Sequence, residues 1–462
     1  MPILRFLLLF RGIFALSSIK FIVCDKKSLS FGGICAFGGW ALFDFKEKRK
    51  MKKILCLVVI LFVAICALTA CKESSSNNNL DLNNNPQGLE FYLLDDDTYA
   101  VSMGNAKYLS NITFPSSYNG KTVTRIVSNQ SVFAVPNDYR HQKTVTIPDT
   151  ITHIEDYAFE LFVDLKSIEL PSGLLYIGEK AFYGCSSLSN IAIPDSVITI
   201  GNQAFGSCTS LAKISIPNSV TDIGSDAFSG CAALEFNEYD NAFYLGNEDN
   251  PYIVLMEAKS QDILSCNINS GTKHIYSSAF YYCKSLSAIT LSEGLISIDD
   301  GAFRGCSSLV NINIPNSVTK LGQGILYDCS ALAYNEYDNA LYLGNEDNPY
   351  VLLMKKSNWL ATSCEIHNKT KFIHGEAFAY SNLENITIPD SVVFIDYYAF
   401  QYCNALKSVI IPDSVKIIGH AAFDRCSSSP TIYCEATSLP LEWDSSWNGS
   451  GGKVVWGYNN EQ

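Results

Sequence analysis

Cysteine is the residue type whose number and spacing in this sequence point most directly to chemistry. The chain has 16 cysteines, and thiols held close together can form disulfides or bind zinc. Eight of them lie three residues after a phenylalanine or, once, a leucine: Cys185, Cys208, Cys231, Cys283, Cys306, Cys329, Cys403 and Cys426. The shared position indicates that one repeated element places all eight.

This repetition argues against both disulfides and a metal site. Neighbouring repeats would place the cysteines about 4.8 Å apart with parallel Cα–Cβ bonds, whereas a disulfide needs side chains that converge. Cys266 and Cys364 occupy a second matching position, and no Cys-x-x-Cys pair is present. We predict reduced, buried thiols that pack as small apolar groups, with no metal and no cofactor. Disulfides, which are common in exported proteins, are the alternative.

Recognisable catalytic motifs are absent from the sequence. The six histidines form no His-Glu-x-x-His pair, and there is no Gly-x-Ser-x-Gly or phosphate-binding loop. The acidic pairs Glu248-Asp249 and Glu346-Asp347 lack the alternating oxygen ligands of a calcium loop, so we interpret them as solvated turns. We predict that the protein is not an enzyme; an unrecognised site in the inserts described below is the alternative.

The element that positions the cysteines is a unit of 23 residues, the spacing between Phe182, Phe205 and Phe228. A fixed period of this length is typical of solenoids, whose units bury their apolar sides only by stacking. In one unit, residues 188–193 and 197–200 form two short strands separated by Pro194, which lacks an N–H for strand pairing. We expect residues 202–208 to form one or two helical turns with the Phe pointing into the core. The phenylalanine column is Phe159, Phe182, Phe205, Phe228, Phe280, Phe303, Phe378, Phe400 and Phe423, with Leu326 standing in once.

This pattern, over residues 145–434, resembles the BspA-like leucine-rich repeat family of bacterial surface proteins. The resemblance implies a right-handed solenoid of short parallel strands and short helical turns. It also implies binding to other proteins, in particular adhesion to host or matrix components. The sequence departs from the pattern at Ser292, at Ser381 in the cysteine column, and by one missing residue between Phe378 and Phe400.

Two inserts interrupt the period in the same way. The spacings from Phe228 to Phe280 and from Leu326 to Phe378 are each 52 residues, and the inserts near 237–259 and 335–356 share a sequence offset by 98 residues. Apolar segments around a Gly-Asn-x-x-Asn-Pro turn predict a β-hairpin in each insert. Because neighbouring units stack without them, we expect the hairpins to project from one face and to be dispensable for folding. That they only thicken the rod is the alternative.

Tyrosines are the candidate partner-binding residues, because tyrosine is enriched at protein interfaces. The hairpin set is Tyr239, Tyr244, Tyr252, Tyr337, Tyr342 and Tyr350. The set beside the phenylalanine column is Tyr281, Tyr282, Tyr327, Tyr398 and Tyr402, with Tyr183, Tyr380 and Tyr397 nearby. The alternative is that the second set packs along the ridge between adjacent turns.

An export signal precedes the repeats. Lys52-Lys53, an apolar run and Leu68-Thr69-Ala70-Cys71 form the three parts of a secretory signal over residues 51–70. The last four residues resemble a lipobox, which implies cleavage before Cys71 and lipid attachment to it; an ordinary signal with an incidental cysteine is the alternative. We interpret residues 1–50 as the product of a start codon assigned too early, with a membrane segment as the alternative.

The remaining segments flank the solenoid. We predict a disordered tether at 71–88, an irregular N-terminal cap at 89–144, the solenoid at 145–430 and a C-terminal cap at 431–462. The last segment holds three of the five tryptophans, which we expect to seal the final unit; a tryptophan-lined ligand site is the alternative.

Charge excludes nucleic acid as the expected partner. The chain carries −13, residues 1–53 contribute +8 and residues 54–70 contribute nothing, so the part from Cys71 onwards carries −21. Without a basic stripe, such a surface repels phosphates. We expect an exported protein, lipid-anchored at the cell surface (in the outer membrane if the organism has one), that binds protein on the host matrix or another cell. The alternative is a scaffold lipoprotein of the cell envelope with no external ligand.

Overall fold

The computed structural model describes residues 88–128, 143–449 and 451–459. The signal segment, Cys71 and nearly all of the predicted tether lie outside these residues, as do residues 1–50. The described chain winds into a stack of coils built from 30 short strands and one 3₁₀ helix, Gly104–Tyr108. The predicted repeat solenoid is therefore confirmed.

The strands of the cap and first coils are β1 (Glu90–Leu93), β2 (Tyr99–Ser102), β3 (Asn111–Thr113), β4 (Ser117–Tyr118), β5 (Lys121–Ile126), β6 (Thr144–Thr146), β7 (His153–Ile154), β8 (Tyr176–Ile177), β9 (Asn190–Ala192), β10 (Thr199–Ile200), β11 (Lys213–Ser215) and β12 (Asp222–Ile223). The first hairpin and the coils after it contain β13 (Asn237–Tyr239), β14 (Ala242–Leu245), β15 (Val254–Ala258), β16 (Ser265–Asn267), β17 (His274–Ile275), β18 (Ala288–Thr290), β19 (Ser297–Ile298) and β20 (Lys320–Leu321). The second hairpin and the C-terminal coils contain β21 (Asn335–Tyr337), β22 (Ala340–Leu343), β23 (Leu352–Lys356), β24 (Phe372–Ile373), β25 (Asn385–Thr387), β26 (Phe394–Ile395), β27 (Ser408–Ile411), β28 (Ile417–Ile418), β29 (Thr431–Cys434) and β30 (Val454–Trp456).

Two walls of parallel strands run along the stack. The first wall contains the pairs β3–β6, β9–β11 and β16–β18 and the ladder β25–β27–β29–β30. The second wall contains the ladders β5–β7–β8–β10–β12, β15–β17–β19–β20 and β23–β24–β26–β28. Inward side chains of both walls are buried, as Ile191 and Ile200 show, because alternate residues of a strand face the same side.

The phenylalanine column forms a ladder of stacked rings inside the coils. Centroids of Phe182 and Phe205 lie 5.3 Å apart and their planes are nearly parallel; Phe400 and Phe423 are 4.8 Å apart. The ladder stops at the first hairpin, where the ring of Phe228 contacts the tilted ring of Tyr276 instead of a phenylalanine. Tyr276 continues the hydrogen bonding between neighbouring coils there, because its hydroxyl accepts a hydrogen bond from the Phe228 N–H at 2.9 Å.

The predicted helical turns are wrong: the segments that carry the phenylalanines are successive tight turns. Gln203 and Ser207, on either side of Phe205, have φ of 51° and 59°, and residues in this left-handed region cannot continue a right-handed helix. The Phe205 N–H donates to the carbonyl of Ala227 in the next coil at 2.8 Å, rather than to a residue four positions earlier. These segments therefore bond across coils as the strands do.

The predicted hairpins are confirmed, but they divide the core and do not project from it. β14 pairs antiparallel with β13 and β15, and β15 pairs in parallel with β17 on the second wall. Val254 and Met256 pack into the core cluster before the hairpin, while Leu255 packs into the cluster after it. The second hairpin separates two clusters in the same way, with Leu352 and Leu353 on opposite sides. β13 and β21 are exposed, but β14, β15, β22 and β23 carry buried side chains that enter the cores on both sides, which contradicts the expectation that the hairpins are dispensable.

Both ends of the stack are covered. At the N-terminal end, β1 and β2 extend the second wall beyond β5. At the C-terminal end, Trp443 and Trp447 are buried, and the Trp447 carbonyl accepts the Phe423 N–H at 2.9 Å. In earlier coils this N–H bonds to the next coil, so the Trp447 segment takes that place and caps the stack.

Candidate functional site

The first hairpin brings three tyrosines together. The ring centroid of Tyr252 lies 5.4 Å from that of Tyr239 and 5.5 Å from that of Tyr244. Tyr239 is 40 % exposed, Tyr252 is half-buried and Tyr244 is fully buried. As a partner-binding residue Tyr244 is therefore a wrong prediction, because β14 has a strand on each side and its side chains enter the cores.

The second hairpin repeats this cluster and adds a histidine. Tyr350 lies 5.7 Å from Tyr337 and 5.4 Å from Tyr342, and it stacks on His367 at 4.1 Å. Tyr342 is fully buried and is also a wrong prediction, for the same reason. Tyr337 and Tyr350 are half-buried. Burial lowers the pKa of His367, so the ring stacks as neutral imidazole near pH 7.

The other predicted tyrosines lie within two residues of the phenylalanine column, and with Tyr380 we call them the tyrosine edge. Tyr281 is 42 % exposed and Tyr380 is 63 % exposed. The half-buried members of the tyrosine edge are Tyr282, Tyr327, Tyr398 and Tyr402. The edge therefore presents aromatic surface to solvent on the turns that join the two walls.

Rings of the tyrosine edge also pack between coils. Tyr380 stacks on Tyr402 of the next coil with centroids 4.6 Å apart, and Arg425 of the following coil lies 5.5 Å from the Tyr402 centroid. Its guanidinium donates to the Tyr402 hydroxyl. Arg304 covers Tyr327 in a similar way, at 5.0 Å. Rings such as that of Tyr380 are therefore exposed to solvent and also held in one orientation by stacking between coils.

The sequence reasoning missed Trp359 and Leu360, in the loop after β23. They are 62 % and 83 % exposed. The Trp359 carbonyl accepts a hydrogen bond from the Asn382 amide at 3.4 Å, which places the loop beside the turn that carries Tyr380. Comparison of the two 98-residue copies could have found them, since Gln261 and Asp262 occupy these positions in the first copy.

Thiols of the cysteine column donate hydrogen bonds to backbone carbonyls. The Cys208 thiol donates to the carbonyl of Phe182 at 3.1 Å, and Cys426 donates likewise to Phe400 at 3.3 Å. All eleven cysteines in the described part of the chain are buried and none is bonded to another. Burial raises the pKa of Cys283 to about 11 and that of Cys266 to about 12, which keeps these thiols protonated and poorly nucleophilic.

The remaining candidate sites are polar turns. Asn247 folds the first acidic turn, because its side-chain oxygen accepts the N–H groups of Asp249 and Asn250 at 3.0 and 2.8 Å. Over residues 88–128, 143–449 and 451–459, no group of three or more His, Cys, Asp or Glu side chains could hold a metal ion. The same residues contain no helix long and apolar enough to cross a membrane.

Solved structures similar to this chain are bacterial leucine-rich repeat proteins. A T. pallidum leucine-rich repeat protein is 26 % identical, with 53 % of this chain and 88 % of that one covered and a TM-score of 0.28. A leucine-rich repeat protein from Bacteroides ovatus is 23 % identical, with 80 % and 98 % covered and a TM-score of 0.33. A leucine rich cell surface protein from Faecalibacterium prausnitzii is 23 % identical, with 79 % and 96 % covered and a TM-score of 0.29. No curated protein matches the chain.

The BspA type leucine rich repeat region matches residues 137–248, 258–345 and 356–440 in six copies. These spans cover more than half of the 462 residues and include the phenylalanine and cysteine columns. The chain belongs to the BspA-type leucine-rich repeat family.

Proposed function

We propose that this protein is displayed on a bacterial cell surface, anchored through lipid on Cys71, and binds other proteins with the exposed aromatic side chains of its hairpins and tyrosine edge. The observation that carries the proposal is where the exposed aromatic rings lie on the stack. Most outward residues of the first wall are small or polar, as at Ser189, Asn190 and Lys213, with exposed apolar exceptions at Leu264 and Val310. Exposed rings collect instead on the hairpins and the tyrosine edge.

The exposed rings suit protein recognition because they are already fixed. Tyr380 is held by stacking on Tyr402, and Tyr239 packs against Tyr252. Aromatic side chains ordered before binding lose little conformational entropy in the complex. Tyrosine and arginine are also among the residue types that contribute most to binding energy at interfaces. Adhesion to host or matrix proteins is the function this surface supports best.

A scaffold role inside the envelope is the second candidate, and the net charge of −21 from Cys71 onwards is compatible with it. The two roles differ in where the protein is displayed. We expect Cys71→Ser to abolish incorporation of radiolabelled fatty acid and to move the full chain from the membrane fraction to the soluble fraction, because Cys71 is the acceptor. Cys66→Ser, within the predicted signal, is the matched control and should keep the label.

Protease treatment of intact cells completes the test. Degradation of the wild-type chain, with a cytoplasmic marker protected, is the result expected for a surface protein. Protection of the wild-type chain until the cells are permeabilised would reject surface adhesion in favour of the scaffold. Membrane retention of unlabelled Cys71→Ser would reject the lipid anchor.

A further inference from the structure

The first hairpin leaves a cleft beside the tight turns that carry the phenylalanines. The coil before the hairpin, the hairpin itself and the coil after it all contribute to the lining of the cleft, whose volume is about 440 Å³. This volume is within the range of ligand-binding sites in proteins. The lining has an apolar part that includes Phe236, Met256 and Tyr276 and a polar part that includes Gly230, Glu257 and Ser277.

Backbone groups on two sides of the cleft lack the partners that they have elsewhere in the stack. In regular coils the Ser207 N–H donates to the next coil at 2.7 Å, and the Asn202 carbonyl accepts from the preceding coil at 2.8 Å. Gly230 and Ser277 hold these two positions on either side of the hairpin. Within the described part of the chain, nothing bonds to the Gly230 N–H or to the Ser277 carbonyl. The cleft therefore offers one backbone donor and one backbone acceptor to a ligand.

The second hairpin unit engages the equivalent carbonyl with its own side chain. Gly375 occupies the position of Ser277, 98 residues later, and its carbonyl accepts a hydrogen bond from His374 Nδ1 at 2.9 Å. In the first unit the position of His374 is held by Tyr276, whose hydroxyl instead accepts the Phe228 N–H. The carbonyl is thus closed in the second unit and open in the first.

The second unit also places a cation where the first unit has none. The Lys355 ammonium lies 4.8 Å from the centroid of the Tyr334 ring, which is a cation–π distance. Glu257 and Phe236 hold the same two positions in the first unit, and strands β15 and β23 pair with their neighbours in the same register. The first unit thus keeps an aromatic ring and replaces the cation with a carboxylate. A cation between the two has to come from another molecule.

The charged groups around the cleft are acidic. Glu257 is the one Asp, Glu, Lys or Arg side chain among the described residues that line the cleft. Lys259, two residues further along the chain, is paired with Glu238 at 2.9 Å. Asp226 accepts a hydrogen bond from the Ser277 hydroxyl at 3.4 Å and so adds a second carboxylate beside the cleft. This arrangement is complementary to a cationic ligand.

We propose that the cleft binds a basic side chain, lysine or arginine, from an extended segment of another protein. The aliphatic part of that side chain packs on Met256, and its cation lies between the Phe236 ring and the Glu257 carboxylate. The segment's backbone supplies a carbonyl to the Gly230 N–H and an N–H to the Ser277 carbonyl, a pair of groups that peptides carry and simple amines lack. The proposal rests on the protein-binding function above and adds a site apart from the exposed rings.

The probe is a fluorescent pentapeptide, blocked at both ends, with one lysine between valines and threonines. In the matched peptide norleucine replaces lysine, which keeps the aliphatic stem and removes the ammonium. Binding to the full chain in nonionic detergent is measured by anisotropy. We expect the lysine peptide to bind about tenfold or more tightly than the norleucine peptide. As a competitor, butylamine should need a concentration about tenfold above that of unlabelled lysine peptide, because it makes no backbone hydrogen bonds.

The main variant is E257K, which introduces the residue that the second unit carries at this position. The fold should therefore persist, which a thermal unfolding curve checks. We expect E257K to weaken binding by about tenfold or more, because its own ammonium takes the place of the ligand's and repels it. E293K, at an exposed glutamate outside the cleft lining, is the matched control and should bind as the wild type does. F236L should weaken binding by about two- to fivefold, the size of an exposed cation–π contact.

Four results would overturn the proposal: no binding of the lysine peptide, equal binding of the two peptides, wild-type affinity in E257K, or equal competition by butylamine and the lysine peptide. The peptide comparison uses the wild-type chain alone, so it decides the matter even if a variant fails to fold. Protease treatment of intact cells measures surface display separately. Rejection of the cleft therefore leaves the proposed function standing, and failure of surface display leaves the binding result in detergent unchanged.

Discussion

At the scale of single residues, the position of Gly201 in the repeat is occupied by a different residue type after each hairpin. Regular coils have glycine before the turn, and a Cβ at Gly201 would lie 2.5 Å from the Glu179 nitrogen. In the second coil after the first hairpin the same position holds Asp299, which is buried, and the coil between them has Tyr276 there. The second copy holds Asp396, whose carboxylate accepts the N–H groups of Gly324 and Gly375 at 3.0 and 3.1 Å. A buried acid thus replaces glycine at this position once after each hairpin.

Asp299 should make stability depend on pH. Burial raises its pKa to about 7, with Asp300, Asp222 and Asp226 acting in the same direction and Lys320 opposing them, against about 3.9 in an unfolded chain. Because the folded pKa is the higher one, the folded state loses stability as pH rises from about 4 to 7. We expect Asp299→Asn to stabilise the protein at pH 8 by on the order of 2 kcal/mol and to leave it unchanged at pH 3.

Urea denaturation between pH 3 and pH 8 measures this effect. Asp195→Asn, at an exposed aspartate, is the control and should follow the wild type at every pH. A lower stability of Asp299→Asn at pH 8 would show that the charged carboxylate is the favoured form.

At the scale of elements, the hairpins partition the core. Tyr244 and Tyr342 are among the largest fully buried side chains, and they belong to the clusters on the C-terminal side of their hairpins. Neither hairpin can be removed without exposing two cores. The sequence pattern could not predict this, because a Tyr-rich segment around a polar turn is equally consistent with a surface hairpin.

Truncation of the buried Tyr244 ring should therefore lower the free energy of unfolding far more than truncation of the exposed Tyr239 ring. We expect Tyr244→Ala to lower the free energy of unfolding by about 3–5 kcal/mol, as for other large core side chains, and Tyr239→Ala to lower it by about 1 kcal/mol or less. The Tyr244 hydroxyl has no hydrogen-bond partner in the described residues, so Tyr244→Phe should be neutral or stabilising. Equal losses for Tyr239→Ala and Tyr244→Ala in chemical denaturation would contradict the partition.

At the scale of the whole molecule, the 23-residue period was enough to predict the solenoid, the buried phenylalanine column and the segments of the sequence that form the hairpins. It could not reveal the backbone of the turns, because Ala204, Phe205 and Cys208 have the spacing of a helix face, whereas the left-handed residues between them have no strong sequence signal. The tyrosine edge was predictable because tyrosines recur beside the phenylalanine column in several repeats. Trp359 was not, because it is a difference between the copies.

The central claim is that the protein binds proteins with the exposed aromatic rings of its hairpins and tyrosine edge and not with the polar strand residues of the first wall. Photo-crosslinking on intact cells tests it most directly, with benzoylphenylalanine placed at Tyr239, Tyr281 or Tyr380 and, as controls, at Asn190 or Lys213. After illumination in contact with host matrix proteins, we predict covalent protein adducts from the three tyrosine positions and none from the two wall positions. Adducts from the wall positions alone, or from no position, would contradict the claim.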